Sequence, residues 1–296
     1  MRTRRSKKAR RRKRNILIRF ALLLILVAVA IVLLCVLTKN LAKSAAVDKD
    51  GQSAQTDDAI EDGSDETETE LIAEGLVIVV DPGHGFGDVG NESGYLENNE
   101  AYYTVLYAQE IKEKLEAMGA TVFLTHDGET FPSEAEMAAA VAEYGLVFSS
   151  SAVAVTEGDN LFNKYERVIY ASILNYEYGV DFFLSVHFNS NEESSVEGCA
   201  IYYCETSPGT DISQAFAESV MAEMGYPSNY SGIYCWSYEE AFAVTKYGDF
   251  PAVLIECAFM TNADDAANIG SYTWRDQLTT LIAESIVEAL TGQEAE

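Results

Sequence analysis

The sequence predicts an α/β domain, one β-sheet with helices on both faces, preceded by a single N-terminal transmembrane helix. Three observations carry this reading. Short continuous apolar runs alternate with segments of helical apolar spacing along residues 73–296. An uncharged stretch of eighteen residues, Phe20 to Leu37 (FALLLILVAVAIVLLCVL), lies between a basic block and a polar one. The composition, 48% hydrophobic and 11% aromatic over 296 residues, excludes a collagen-like, low-complexity or wholly disordered chain. A chain of this length can bury a core without disulfide staples.

The formal net charge of −27 is unevenly spread. Residues 1–19 hold eleven Lys and Arg and no acid, residues 20–72 hold three bases against ten acids, and residues 73–296 hold six against thirty-seven. A body this acidic is repelled by polyphosphate, so a nucleic-acid partner is excluded for it. At about 1.5 Å per residue the apolar stretch spans roughly 27 Å, close to a bilayer core. It is longer than the roughly 7–15 apolar residues of a cleaved signal peptide, and the following TKNLAKSAA is a poor cleavage site. The basic block before it holds the amino terminus in the cytoplasm, so the remainder is extracytoplasmic. The expected organisation is a basic tail (1–15), a membrane anchor (16–38), a flexible acidic linker (39–72) and a globular domain (73–296).

Within the domain each element has its own signature. Leu76 to Val80 (LVIVV) reads as a strand covered on both faces, and DPGHG breaks it abruptly. Glu97 to Met118 has helical spacing through Val105, Ala108, Ile111 and Leu115, with Gly119 closing it. Thr121 to Thr125 is a second strand, and Ala-rich 128–160 is an excursion from the sheet. A helix is expected over Asn163 to Gly179, a strand over Asp181 to Phe188 and another over Ala200 to Tyr203. Helical spacing returns at Ser213 to Met224, Ala252 to Phe259 (AVLIECAF) is a buried strand, and Trp274 to Leu290 closes the domain as an amphipathic helix. Of the cysteines outside the apolar stretch, Cys199 and Cys204 are an odd number apart and so point to opposite faces of a strand. Buried free thiols are the expectation for Cys199, Cys204 and Cys257, with a pairing of Cys235 left open.

In such folds chemistry collects at the carboxyl ends of the strands. Two of the three histidines fall there, His84 beyond the first strand and His187 near the end of the third. Glu256 interrupts an apolar strand, a costly place for a carboxylate without a partner or a metal. Two histidines and a carboxylate suit zinc with an open position for water. Glu97, expected to start the first helix, is the third donor that the helix dipole would keep anionic. Glu256 is then the general base. Blander readings stand beside these: His187 as a satisfied core histidine, Glu97 as an ordinary exposed acid, Glu256 paired with Arg167.

DPGHGFGDVG at 81–90, GYLENNE at 94–100, FFLSVHFNS at 182–190 and PAVLIECAFMTNADDAANI at 251–269 together resemble the zinc-dependent N-acetylmuramoyl-L-alanine amidases of the AmiC-like, amidase type 3 family. TVFLTHDGE at 121–129 and the Arg167 region are similar in order and spacing. The resemblance spans about residues 75–292. It implies a mixed sheet flanked by helices, one zinc ion held by His84, Glu97 and His187, and Glu256 as the catalytic carboxylate. It implies hydrolysis of the amide between N-acetylmuramic acid and L-alanine in peptidoglycan. The alternatives are a zinc peptidase or deacylase on another cell-wall amide, or a non-catalytic peptidoglycan-binding scaffold.

Departures from the family pattern are His126 where Arg is usual and Ala101 at the position four beyond Glu97, where Asn is usual. The 128–160 segment is long enough to form a lid, a surface for a regulatory protein partner or an autoinhibitory helix. Dense aromatics at 226–236 (YPSNYSGIYCW) with Tyr238, Phe242 and Tyr247 read as loop packing, with stacking on sugar faces as the second reading.

Overall fold

Six strands form the sheet of this computed structural model, which describes residues 71–146, 164–224 and 230–293. They are β1 (Val77–Pro82), β2 (Thr121–Leu124), β3 (Phe182–Asn189), β4 (Ala200–Cys204), β5 (Gly232–Trp236) and β6 (Ala252–Phe259). Their spatial order is β2-β1-β3-β6-β4-β5, with β4 antiparallel to β6 and every other neighbour pair parallel. The sheet is therefore mixed. The tail 1–15, the anchor 16–38 and all but the last two residues of the linker 39–72 lie outside the described residues. Among those described, no helix is long and apolar enough to cross a membrane.

Seven helices accompany the strands among the described residues: α1 (Glu100–Ala117), α2 (Glu134–Tyr144), α3 (Lys164–Tyr178), α4 (Thr210–Met224), α5 (Ala243–Lys246), α6 (Ala263–Gly270) and α7 (Tyr272–Thr291). On one face of the sheet, Tyr107, Ile111 and Leu115 of α1, Phe216 and Val220 of α4, and Ile282 and Ile286 of α7 close over Ile78, Leu184, Ile201 and Ile255. On the other, Val168, Ala171 and Leu174 of α3 and Val244 of α5 close over Val79, Phe183, Tyr202 and Leu254. Central strands covered on both sides explain why their sequences are unbroken apolar runs. Each large side chain buried this way contributes about 1.5–3 kcal/mol.

Several boundaries differ from the sequence expectation. α1 starts at Glu100 rather than Glu97, because Asn99 caps it by accepting from the Tyr102 amide at 3.1 Å. The 128–160 excursion contains α2, begun by a reciprocal Ser133–Glu136 capping box and ended by Gly145 in the left-handed conformation. Met137 of α2 joins Ile169 and Ile173 of α3 in a small separate core, against which Phe86 and Phe131 also pack. Residues 147–163 of this region lie outside the described ones. β5 and α6 carry no strong pattern: β5 is a short edge strand with no buried residue, and α6 is set by Asn262 accepting from the Asp264 and Asp265 amides. Cys199, Cys204 and Cys257 are buried free thiols, and Cys235 is exposed and free.

At the end of the sheet that carries the site, Asp81 is fully buried and organises its neighbours. It accepts from the Thr125 hydroxyl at 2.6 Å and the Ser185 hydroxyl at 2.7 Å, and its Oδ1 lies 2.8 Å from Arg167 Nε. One carboxylate thus ties β1, β3, the end of β2 and α3 together. Asp81→Ala leaves a buried guanidinium uncompensated, so chemical denaturation should show about 3–5 kcal/mol less stability. Adding Arg167→Met should recover part of that loss, and strictly additive effects would disprove the coupling.

Candidate metal centre

The site is assembled from a loop, a helix start and two strand ends. Directly after β1 the chain enters the left-handed region at His84 (φ 66°) and Phe86 (φ 51°), unusual for residues with side chains and frequent at functional sites. Two glycines make the close approach feasible. A Cβ on Gly83 would sit 2.2 Å from Cε1 of His187, and one on Gly90 only 2.6 Å from Oε2 of Glu100. His84 donates Nδ1–H to Asp88 at 2.9 Å, which turns its Nε2 toward Glu100 Oε1 at 3.0 Å. His187 presents Nδ1 to the same oxygen at 3.1 Å, with the two imidazole centroids 4.9 Å apart. One atom from each of His84, Glu100 and His187 lies within 4.8 Å of the others.

Glu97 is therefore corrected as the third donor. It lies exposed in the bend before α1, while Glu100, three residues later, is 1% exposed and is the residue that starts the helix. The physical criterion, an acid at the helix N-terminus, holds; the boundary to which it was applied does not. The position four beyond the donor moves accordingly from Ala101 to Thr104, whose hydroxyl donates to the Gly83 carbonyl at 2.7 Å and steadies the His84 loop.

Glu100 is held by more than the histidines. Its Oε1 also accepts from the Phe188 amide at 3.0 Å, and its Oε2 accepts from the backbone and side-chain amides of Asn91 at 2.9 and 2.8 Å. Burial by itself would raise its pKa, but the hydrogen bonds and charges of His187 and His84 win and hold it well below the usual carboxylate range. His187 is driven down chiefly by burial and is neutral at pH 7. Burial also acts against a proton on His84, yet Glu100 and Asp88 outweigh it and raise the pKa. Nothing local in the sequence distinguishes Asn91 and Asp88.

Glu256 lies beside the cluster, its Cα in register with that of His187 on the neighbouring strand. Its Oε2 is buried with no hydrogen-bond partner among the described residues. Burial, reinforced by the negative charge of Glu100 and only partly opposed by His84, pushes its pKa up to about 8. Arg167 is turned to Asp81, so it does not neutralise Glu256 as the blander reading had it. His126 is buried with Nε2 against the Pro82 carbonyl at 2.9 Å, and burial lowers its pKa. It supports the backbone leading to His84 and is not one of the clustered donors.

Two imidazoles, a carboxylate held anionic and an orphaned buried carboxylate oxygen are what a divalent cation with nitrogen and oxygen preference needs. Fold and site together define a hydrolase-like α/β domain with a candidate metal centre at the carboxyl ends of its parallel strands. Residues 78–288 match the Amidase_3 family, N-acetylmuramoyl-L-alanine amidase, and the chain belongs to it. The chain is 29% identical over 213 residues to the N-acetylmuramoyl-L-alanine amidase LytC of Bacillus subtilis strain 168, covering 72% of this chain and 35% of that protein. It is 27% identical over 232 residues to the probable cell wall amidase LytH of Staphylococcus aureus, covering 77% of this chain and 61% of that one. The match thus spans about a third and three fifths of the lengths of these two relatives. The CwlD amidase of Clostridioides difficile, solved in complex with the GerS lipoprotein, shares the fold at a TM-score of 0.56 and 19% identity, over 74% of this chain and all of that one.

Two outcomes follow. Zinc titration of the chelated protein should show Glu97→Ala within about threefold of the parent. Asp88→Ala should cost about 10–100-fold, the usual effect of losing an outer hydrogen bond, and Glu100→Ala more than that. Equal losses for Glu97→Ala and Glu100→Ala would contradict the geometry. The second concerns pH. In the metal-free protein Glu256 holds its proton up to about pH 8, whereas the unfolded chain releases it near 4.5. Its ionisation therefore removes stability as pH rises through that window. The Tm of metal-free Glu256→Gln minus that of the parent should grow by about 5–10 °C between pH 4.5 and 8.5, a few kcal/mol. A constant difference would show that Glu256 ionises freely.

Proposed function

We propose that this chain is a membrane-anchored, extracytoplasmic zinc hydrolase that cleaves the amide between N-acetylmuramic acid and L-alanine in peptidoglycan. The observation that carries the reading is the buried, partnerless Oε2 of Glu256 beside the cluster of His84, Glu100 and His187. An unsatisfied carboxylate oxygen in an apolar strand is destabilising, and proton transfer is the use that justifies it. Family membership supplies the substrate, and the uncharged stretch within 16–38 with its basic flank supports the anchor and its orientation.

His84, Glu100 and His187 would hold the zinc ion, which supplies a Lewis acid for the amide carbonyl and acidifies water. The protein's own part is proton management and positioning. Glu256, in the ionised form that a cation bound beside it would favour, takes a proton from the attacking water as the water oxygen bonds to the carbonyl carbon. It then passes that proton to the nitrogen as the carbon–nitrogen bond breaks, leaving a free carboxylic acid on the sugar and a free amino group on alanine. Asp88 fixes the tautomer of His84, and Asn91 and the Phe188 amide fix the rotamer of Glu100.

Incubation of the full chain in detergent with isolated peptidoglycan, followed by mass spectrometry, should release peptides that begin with alanine while the sugars stay intact. Release should stop with a chelator, return with zinc and fall about a thousandfold or more in Glu256→Gln. Fragments with any other new terminus would move the site to another cell-wall amide.

A further inference from the structure

We propose that the aromatic strip on β4 and β5 is a carbohydrate subsite, and that it seats the N-acetylated glycan strand next to Glu256. The proposal rests on the amidase reading for the identity of the bond cleaved, and adds where the sugar side of that bond lies. The sheet register places His187, Glu256, Ala200 and Gly232 in one row across β3, β6, β4 and β5. On the β2 side of that row stand the metal donors. On the β5 side Glu256 is followed by the buried methyl group of Ala200 and then by Gly232, whose missing side chain leaves room for the Tyr234 ring.

Aromatic rings gather over this part of the sheet. Oη of Tyr202 and Oη of Tyr230 are 3.3 Å apart, and a Cβ on Gly232 would meet the Tyr234 hydroxyl at 3.1 Å. Three phenols thus gather beside the row that contains Glu256. From there the rings continue along the strands. Tyr230 and Tyr234 have centroids 6.1 Å apart, Tyr234 stacks on Tyr202 at 4.9 Å and 15°, Trp236 lies 4.8 Å from Tyr202, and Phe242 lies 5.1 Å from Trp236. Both ends of the strip, Tyr230 and Phe242, remain 36% exposed. Packing against the sheet explains the buried middle, Tyr202, but not rings left open at both ends.

Pyranose rings have apolar C–H faces and hydroxyl edges, and rings that carry a polar handle match both. The charge balance selects among sugars. Six bases against thirty-seven acids in residues 73–296 disfavour an anionic polymer, whereas N-acetylglucosamine units, and N-acetylmuramic acid units whose lactyl carboxyl is still in amide linkage, carry no charge.

The test uses the full-length chain in detergent and neutral oligosaccharides of β-1,4-linked N-acetylglucosamine. Calorimetry should show binding to the parent that is weakened about tenfold or more by Tyr230→Ala and less by Tyr230→Phe, which keeps the ring. With peptidoglycan as substrate, Tyr230→Ala should raise KM about tenfold while kcat falls by less than threefold. Tyr272→Ala, which removes a tyrosine 68% exposed on α7, should change neither. Absence of oligosaccharide binding, equal binding by parent and Tyr230→Ala, or a Tyr230 dependence confined to isolated stem peptides would each overturn the subsite. The amidase reading fails separately, by the absence of alanine-terminated peptides from a chain that still binds the oligosaccharide.

Discussion

The shared hydrogen bonding of the Glu100 carboxylate is the constraint on which the rest of the site depends. A carboxylate this buried would be strongly unfavourable alone, yet here it has partners on both oxygens and the first turn of α1 behind it. Each partner imposes a condition on the chain. His84 reaches it from a left-handed backbone, Gly90 leaves it room, Asn91 reads its second oxygen, and the Phe188 amide brings the end of β3 within range. Asp81 performs the same service one layer deeper, holding together the strands and helix from which these residues project.

Two carboxylates in one site are given opposite tasks by their surroundings. Glu100, faced by two imidazoles and three amide donors, stays ionised and suits a cation. Glu256, half-buried with one buried oxygen partnerless and Glu100 as its charged neighbour, holds its proton more tightly than a carboxylic acid in water. Divergent pKa values on neighbouring acids are the mark of separate chemical roles. That contrast comes from geometry alone, since both are glutamates near strand or helix ends.

Legibility followed the strength of the physical signal. The apolar runs of β1, β3 and β6 are unmistakable because both faces of a central strand are buried, and the ends of β6 were read at Ala252 and Phe259 from that alone. His84, His187 and Glu256 drew attention because a histidine or an acid in such a place is chemically expensive. The third donor moves by three residues, from Glu97 to Glu100, because polar 97–99 carries no apolar spacing to mark the helix start, and only the folded chain shows that Asn99 is the cap. β5 was taken for a loop, since a short edge strand with no buried residue lacks the pattern that betrays an inner one.

From the order of its residues alone this chain declares an acidic α/β domain behind a basic, apolar N-terminal stretch, the family motifs, and which strand ends carry chemistry. These are properties of local composition and spacing, and no partner is needed to express them. Tertiary structure decided what depends on contacts between distant segments. It chose Glu100 over Glu97, turned Arg167 to Asp81 and away from Glu256, and set Ala200 and Gly232 in line with Glu256 beside a strip of rings. A side chain's pKa, partner and neighbours belong to the space around it, and that space is filled by residues more than a hundred positions away in the chain.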